Sequence, residues 1–141
     1  MRNLNLVVVF NKSLDKGLFC IRSKEPYKGL YNFVGGKAEP GETKEEAAYR
    51  ELWEETGITR SDIKLDHFMD ITYYKYENYI PVFYGILEKE VTLVEEKNKL
   101  EWVDLGDNLL DCTKFAGNYN IPHIIRQIKV YLENGTGIDK Y

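Results

Sequence analysis

A chain of 141 residues that is 43% hydrophobic and 30% charged has the size and make-up of one ordinary domain, long enough to bury a proper core. No apolar run approaches the roughly 20 residues needed to cross a bilayer. A net charge of −4 leaves no basic footprint for long nucleic acid, and two cysteines, Cys20 and Cys112, are too few for a disulfide framework.

The opening MRNLNLVVVF is too short to be a signal peptide and runs directly into strand pattern, so the expected location is the cytoplasm. Leu4 to Phe10 and Gly17 to Arg22 are apolar runs joined by a polar turn, as in strands buried on both faces. Cys20 sits in the second run as a reduced thiol. Ser23 to Asn32 reads as a loop, and Tyr31 to Lys37, with its paired glycines, as the loop that leads into the next helix. Pro40-Gly41 makes the turn before it.

Thr43-Lys44-Glu45-Glu46 is a capping box, Ala47, Ala48 and Leu52 are strong helix formers, and Gly57 suits a left-handed stop. The helix therefore runs from about Thr43 to Thr56. Ile63 to Tyr76 and Tyr79 to Leu87 are rich in β-branched and aromatic residues and read as a hairpin broken at Glu77-Asn78. Leu100 to Leu105 is another strand. Ile121 to Glu133 carries Ile124, Ile125, Ile128, Val130 and Tyr131 at mostly helical spacing, with Asn134-Gly135 as its stop and a frayed tail beyond. No repeat or linker interrupts residues 1–141, which are expected to form a single domain. His67 and His123 lack metal-ligand spacing and are assigned packing or surface roles.

The chemistry is concentrated on the first helix. At about 100° per residue, Glu51, Glu54 and Glu55 fall within an arc of about 100°, with Glu51 between the other two. Like charges at this spacing repel, and a hard cation with oxygen ligands neutralises them. A solvated acidic face is the plain alternative, but it explains neither Gly35-Gly36 nor Gly57.

The stretch Gly36 to Ile58 resembles the signature of the Nudix hydrolase family at every position: Gly36, Glu42, Arg50, Glu51, Leu52, Glu54, Glu55, Gly57 and Ile58. The resemblance implies an α/β fold, an α/β/α sandwich with a mixed sheet between helices. It also implies hydrolysis of nucleoside diphosphate-linked substrates by water attack at phosphorus, with Mg²⁺ or Mn²⁺ as cofactor. By resemblance the Gly35 carbonyl, Glu54 and Glu55 are metal ligands, and Glu51 is a further ligand or the base. Arg50 pairs with these carboxylates and orients them, and Glu42 positions the loop. One more metal carboxylate is expected from a loop before a later strand, with Glu96 first and Glu95 second.

Tyr31 to Lys37 further resembles the segment before the box in MutT-type nucleotide-pool sanitising enzymes. Asn32 is the first base-reading candidate, and Asn120, followed by Ile121-Pro122, is the second, with Asn118 behind it. An amide donates and accepts at once and suits a purine edge; the same residues also serve as ordinary turn and helix caps. Arg22 and Lys37 are the expected substrate-facing cations.

The implied reaction converts an oxidised purine nucleoside triphosphate to monophosphate and pyrophosphate. The alternatives are a dinucleoside polyphosphate hydrolase, for which Tyr73, Tyr74, Tyr76 and Tyr79 supply the expected tyrosine, an ADP-sugar hydrolase, and a non-catalytic nucleotide sensor. The expected partner is a small nucleotide, with no long nucleic acid and no membrane, acting on a monomer or homodimer.

Overall fold

The computed structural model describes residues 1–134. The expected helix stop at Gly135 and the tail beyond it lie outside the described residues. The elements are β1 (Arg2–Asn11), β2 (Lys16–Ile21), β3 (Tyr31–Lys37), α1 (Lys44–Thr56), β4 (Asp66–Tyr73), β5 (Asn78–Leu87), β6 (Lys99–Asp104) and α2 (Asn120–Asn134). All six strands join one sheet in the order β4-β5-β1-β3-β2-β6. β1 and β5 run parallel from Arg2↔Asn78 to Asn11↔Leu87, and the other neighbours are antiparallel, so the sheet is mixed.

Alternation along β1 explains the layers. Val7 and Val9 point to the side covered by α1, where they meet Leu18, Val34, Ala48, Leu52 and Phe83. Val8 and Phe10 point to the other side, against Phe19, Phe33, Ile124 and Ile128 of the α2 layer. Val7 to Phe10 are fully buried, as expected for a strand covered on both faces. The stripe of α2 consists of Ile121, Ile124, Ile125 and Ile128 and continues to Leu132, whereas Tyr131 is 40% exposed and edges against the Phe68 ring.

Two expectations are corrected. Tyr31 to Lys37 is a strand, not a loop. Phe33 and Val34 are buried on opposite faces of the sheet, which outweighs the loop signal of the paired glycines. Those glycines are needed inside the strand: a Cβ on Gly35 would stand 2.2 Å from the Asn5 carbonyl oxygen. The expected long strand from Ile63 shortens to Asp66–Tyr73. Ile63 and Leu65 are buried in the α1-side core but precede the ladder, which is itself irregular between His67 and Met69.

His67 stacks on Phe83 and bonds Asp70 through its Nε2 at 2.6 Å, a packing role. Both cysteines are free, and burial pushes the Cys20 thiol up to about 11. Among the described residues no helix is long and apolar enough to cross a membrane.

Candidate active site

The first helix is fixed at both ends. Thr43 Oγ1 accepts the Glu46 N–H at 3.1 Å while Glu46 Oε1 accepts the Thr43 N–H at 3.1 Å. Gly57, at φ 78°, returns its N–H to the Trp53 carbonyl. The segment before β6 is strapped across this C-terminal end: Val94 N–H bonds the Thr56 carbonyl at 2.9 Å, and a Cβ on Gly57 would meet Val94 at 3.0 Å. The strap brings Glu96 and Lys97 to a cleft of about 490 Å³ whose opposite wall is Glu51, Glu54 and Glu55.

Arg50 organises the acids. Its Nε and Nη2 grip both oxygens of Glu42, at 2.6 and 3.0 Å. Nη1 donates to Glu51 at 3.0 Å and to Glu54 at 3.1 Å, and Nη2 also reaches the Lys37 carbonyl at 2.9 Å. The fork-shaped guanidinium thus ties the loop after β3 to the helix and holds the Glu42 carboxyl below its ordinary value. Glu42 also accepts the Glu39 N–H at 2.7 Å, so its place is in the loop, as expected.

Glu51 and Glu55 lie deeper. Burial raises Glu51 against the pull of Arg50, and burial followed by the Glu51 charge pushes Glu55 up to about 7. A backbone bond from Gly35 and the charge of Lys97 act on Glu55 in the opposite direction. Gly36 gives Glu51 its space, since a Cβ there would stand 2.5 Å from the Glu51 carboxyl carbon.

These observations fit a hard divalent cation. Glu55 Oε2 is buried without a hydrogen-bond partner, four carboxylates line one cleft, and Arg50 engages only one oxygen of Glu51 and one of Glu54. Among the described residues no three acidic, histidine or cysteine side chains stand close enough together to hold a metal ion as they are oriented here. Arg50 instead takes one oxygen of Glu51 and one of Glu54. Gly35, Glu51, Glu54, Glu55 and Glu96 are the residues that could hold such an ion, which would lower the pKa of a bound water and neutralise diphosphate oxygens. Glu95 is accounted for otherwise, because its Oε2 accepts the Leu100 N–H at 2.7 Å at the start of β6.

The candidate substrate residues are scattered more widely. Asn32 lies opposite Cys20 in the ladder, on the α1 side with Val34 and Gly36, and its Oδ1 accepts the Phe33 N–H at 2.9 Å. Asn120 begins α2 and donates to the Tyr73 hydroxyl at 2.6 Å, and Asn118 donates to Tyr27 at 3.2 Å. Among the described residues no hydrogen bond joins Asn32 to Asn120. Arg22 follows β2, and its Nε holds the Pro26 carbonyl at 2.6 Å, which folds the 23–30 loop. Lys37 ends β3 with an exposed side chain. Of the four tyrosines, Tyr74 and Tyr76 are exposed at the hairpin tip, Tyr79 lies beneath the Lys44 ammonium, and Tyr73 alone reaches α2.

Two residues escaped the sequence reading. Lys97 carries no motif that separates it from other loop lysines. Asn5 did carry a signal, as a polar residue on the α1-facing side of an apolar strand; it is only 2% exposed.

The family model for the NUDIX domain matches residues 2–123. Over 129 residues the chain is 31% identical to the NAD-capped RNA hydrolase NPY1 of Saccharomyces cerevisiae, covering 82% of this chain and 32% of that protein. It thus spans about a third of the length of this curated relative. Among solved structures, the C. elegans Ap4A hydrolase superposes with a TM-score of 0.75 at 19% identity, over 92% of this chain and 98% of that one. The MutT protein of Methanosarcina mazei superposes with a TM-score of 0.69 at 18% identity, over 91% and 94%. A family match over most of the chain places this protein in the Nudix hydrolase family.

Proposed function

We propose that this protein is a Mg²⁺- or Mn²⁺-dependent hydrolase that opens the phosphoanhydride of a nucleotide. The carrying observation is the cleft in which Glu51, Glu54 and Glu55 of α1 face Glu96 of the strap, with a buried, unpartnered oxygen on Glu55. Arg50 bonds Glu51 and Glu54, Lys97 offers a cation on the same wall as Glu96, and in this reading the half-buried Glu51 is a further ligand or accepts a proton from the attacking water.

The leading substrate is an oxidised purine nucleoside triphosphate, released as monophosphate and pyrophosphate. One amide supports it: Asn32 lies on the sheet face that carries the acids and offers acceptor and donor groups to a purine edge, whereas Asn120, at the start of α2 on the other layer, is paired with the Tyr73 hydroxyl. A second reading, a dinucleoside polyphosphate, is favoured by Tyr73 at the α2 N-terminus and by the names of the relatives, an Ap4A hydrolase and a NAD-capped RNA hydrolase. The net charge of −4 favours a small nucleotide over a capped RNA.

The test is a panel of 8-oxo-dGTP, Ap4A, NAD, ADP-ribose and an NAD-capped oligonucleotide with Mg²⁺, run beside Glu54→Gln. The highest kcat/KM on 8-oxo-dGTP supports the leading substrate, and the highest on Ap4A or NAD replaces it with the second. Turnover that Glu54→Gln leaves intact refutes the metal assignment.

A further inference from the structure

Among the described residues two buried side-chain polar atoms have no hydrogen-bond partner: Glu55 Oε2 and Asn5 Nδ2. Both belong to side chains that flank one dipeptide. The Gly35 main chain lies close enough to Glu55 to pull its pKa down, and Asn5 Oδ1 accepts the Gly36 N–H at 3.2 Å. Asn5 is directly opposite Gly36 in the β1–β3 ladder, and alternation puts its side chain on the α1 side with Val7 and Val9. On that side Gly36 touches Glu51 so closely that no side chain fits between them.

A buried amide in an otherwise apolar strand, with one half bonded and the other half bare, is costly to the fold alone. The cost has a reason if the bare donor meets an acceptor that arrives with the ligand.

We propose that Asn5 is a positioning residue of the carboxylate site: its Oδ1 fixes the Gly35-Gly36 main chain, and its Nδ2 donates to an oxygen of the shell that assembles around the bound divalent cation. The proposal rests on the metal-dependent reading above. Groups that orient a ligand shell from behind are worth about 10- to 100-fold in metal affinity or activity. The fold has a use for this arrangement, because Gly36 has no side chain with which to stiffen itself. The brace therefore comes from the neighbouring strand.

The experiment titrates the substrate-free protein with Mn²⁺, reading free Mn²⁺ by electron paramagnetic resonance, for wild type, Asn5→Leu and Asn5→Thr. Leucine keeps the same branching and number of heavy atoms without polar groups, at a somewhat larger volume, and threonine returns one hydroxyl. Expected is a loss of about tenfold in Mn²⁺ affinity for Asn5→Leu, with an intermediate loss for Asn5→Thr. In turnover with saturating metal, kcat falls while KM stays within about twofold, since the amide acts on the ligand shell and not on the nucleotide. Melting curves run alongside, and affinity losses that merely track a fall in Tm refute the proposal. Wild-type Mn²⁺ affinity in Asn5→Leu refutes it as well, and if that variant does not fold, wild-type affinity in Asn5→Thr does so. A wild-type protein that binds no Mn²⁺ overturns the metal reading itself, an outcome distinct from failure of the Asn5 assignment.

Discussion

Replacing Glu55 with glutamine should alter how stability depends on pH, with a sign fixed by burial. The folded protein holds the Glu55 proton up to about pH 7, against an ordinary value of 4.5. A group whose folded pKa is raised contributes stability that is fully present below the unfolded value and is lost as the pH rises through the folded one. For Glu55 the loss between about pH 5.5 and about pH 8 comes to about 2 kcal/mol, or about 6 °C in Tm for a chain of this length. Glu51, also raised by burial, adds in the same direction.

The assay is a thermal melt in chelator across that pH range. Wild type should lose stability as pH rises, and Glu55→Gln, which cannot ionise, should show a flatter profile and melt higher at about pH 8. Excess Mg²⁺ should reverse the wild-type trend, because the ion binds the deprotonated carboxylate and stabilises by mass action, about 2.7 kcal/mol at a hundredfold excess over Kd. In Glu55→Gln that stabilisation should shrink. Identical slopes for the two proteins in chelator, or equal Mg²⁺ stabilisation, would refute the placement of Glu55 as a buried acid awaiting a cation.

Arg50→Lys keeps the charge but cannot hold both oxygens of Glu42 and still reach Glu51 and Glu54, so kcat should fall by about 100-fold or more at saturating Mg²⁺ while KM changes little, measured by steady-state kinetics. Gly36→Ala drives a methyl into the Glu51 carboxyl and should weaken Mn²⁺ binding by about tenfold or more while the protein remains folded by circular dichroism. Glu96→Gln should weaken Mn²⁺ binding by about tenfold, whereas Glu95→Gln, which touches only the Leu100 N–H, should leave it unchanged; isothermal titration separates the two.

The helix and its caps were legible because local rules fix them. The capping box at Thr43, the stop at Gly57 and the arc of three glutamates all follow from residue type and helical spacing. The strand at Tyr31–Lys37 was not legible, because Gly35 and Gly36 are strand-breaking on their own and are required there only by the approach of Asn5 and the seat of Glu51. The ranking of Glu96 above Glu95 rested on resemblance to the family and not on the residues themselves. Two adjacent acids in a loop look alike until one is seen capping β6 and the other lining the cleft. Lys97 and Asn120 gain their meaning from partners distant in sequence, respectively the α1 carboxylates and the Tyr73 hydroxyl.

The parallel pairing of β1 with β5 bears on how the chain is made. During vectorial synthesis β1, β3 and the whole of α1 are translated before Asn78 exists, so β1 waits with one flank unpaired until β5 arrives. Closing a connection across that interval slows folding in general, and the waiting flank of β1 is an unpaired edge of the kind that invites pairing between chains. Activity should therefore appear only once the second half of the polypeptide has emerged, although every residue of the box has been translated long before.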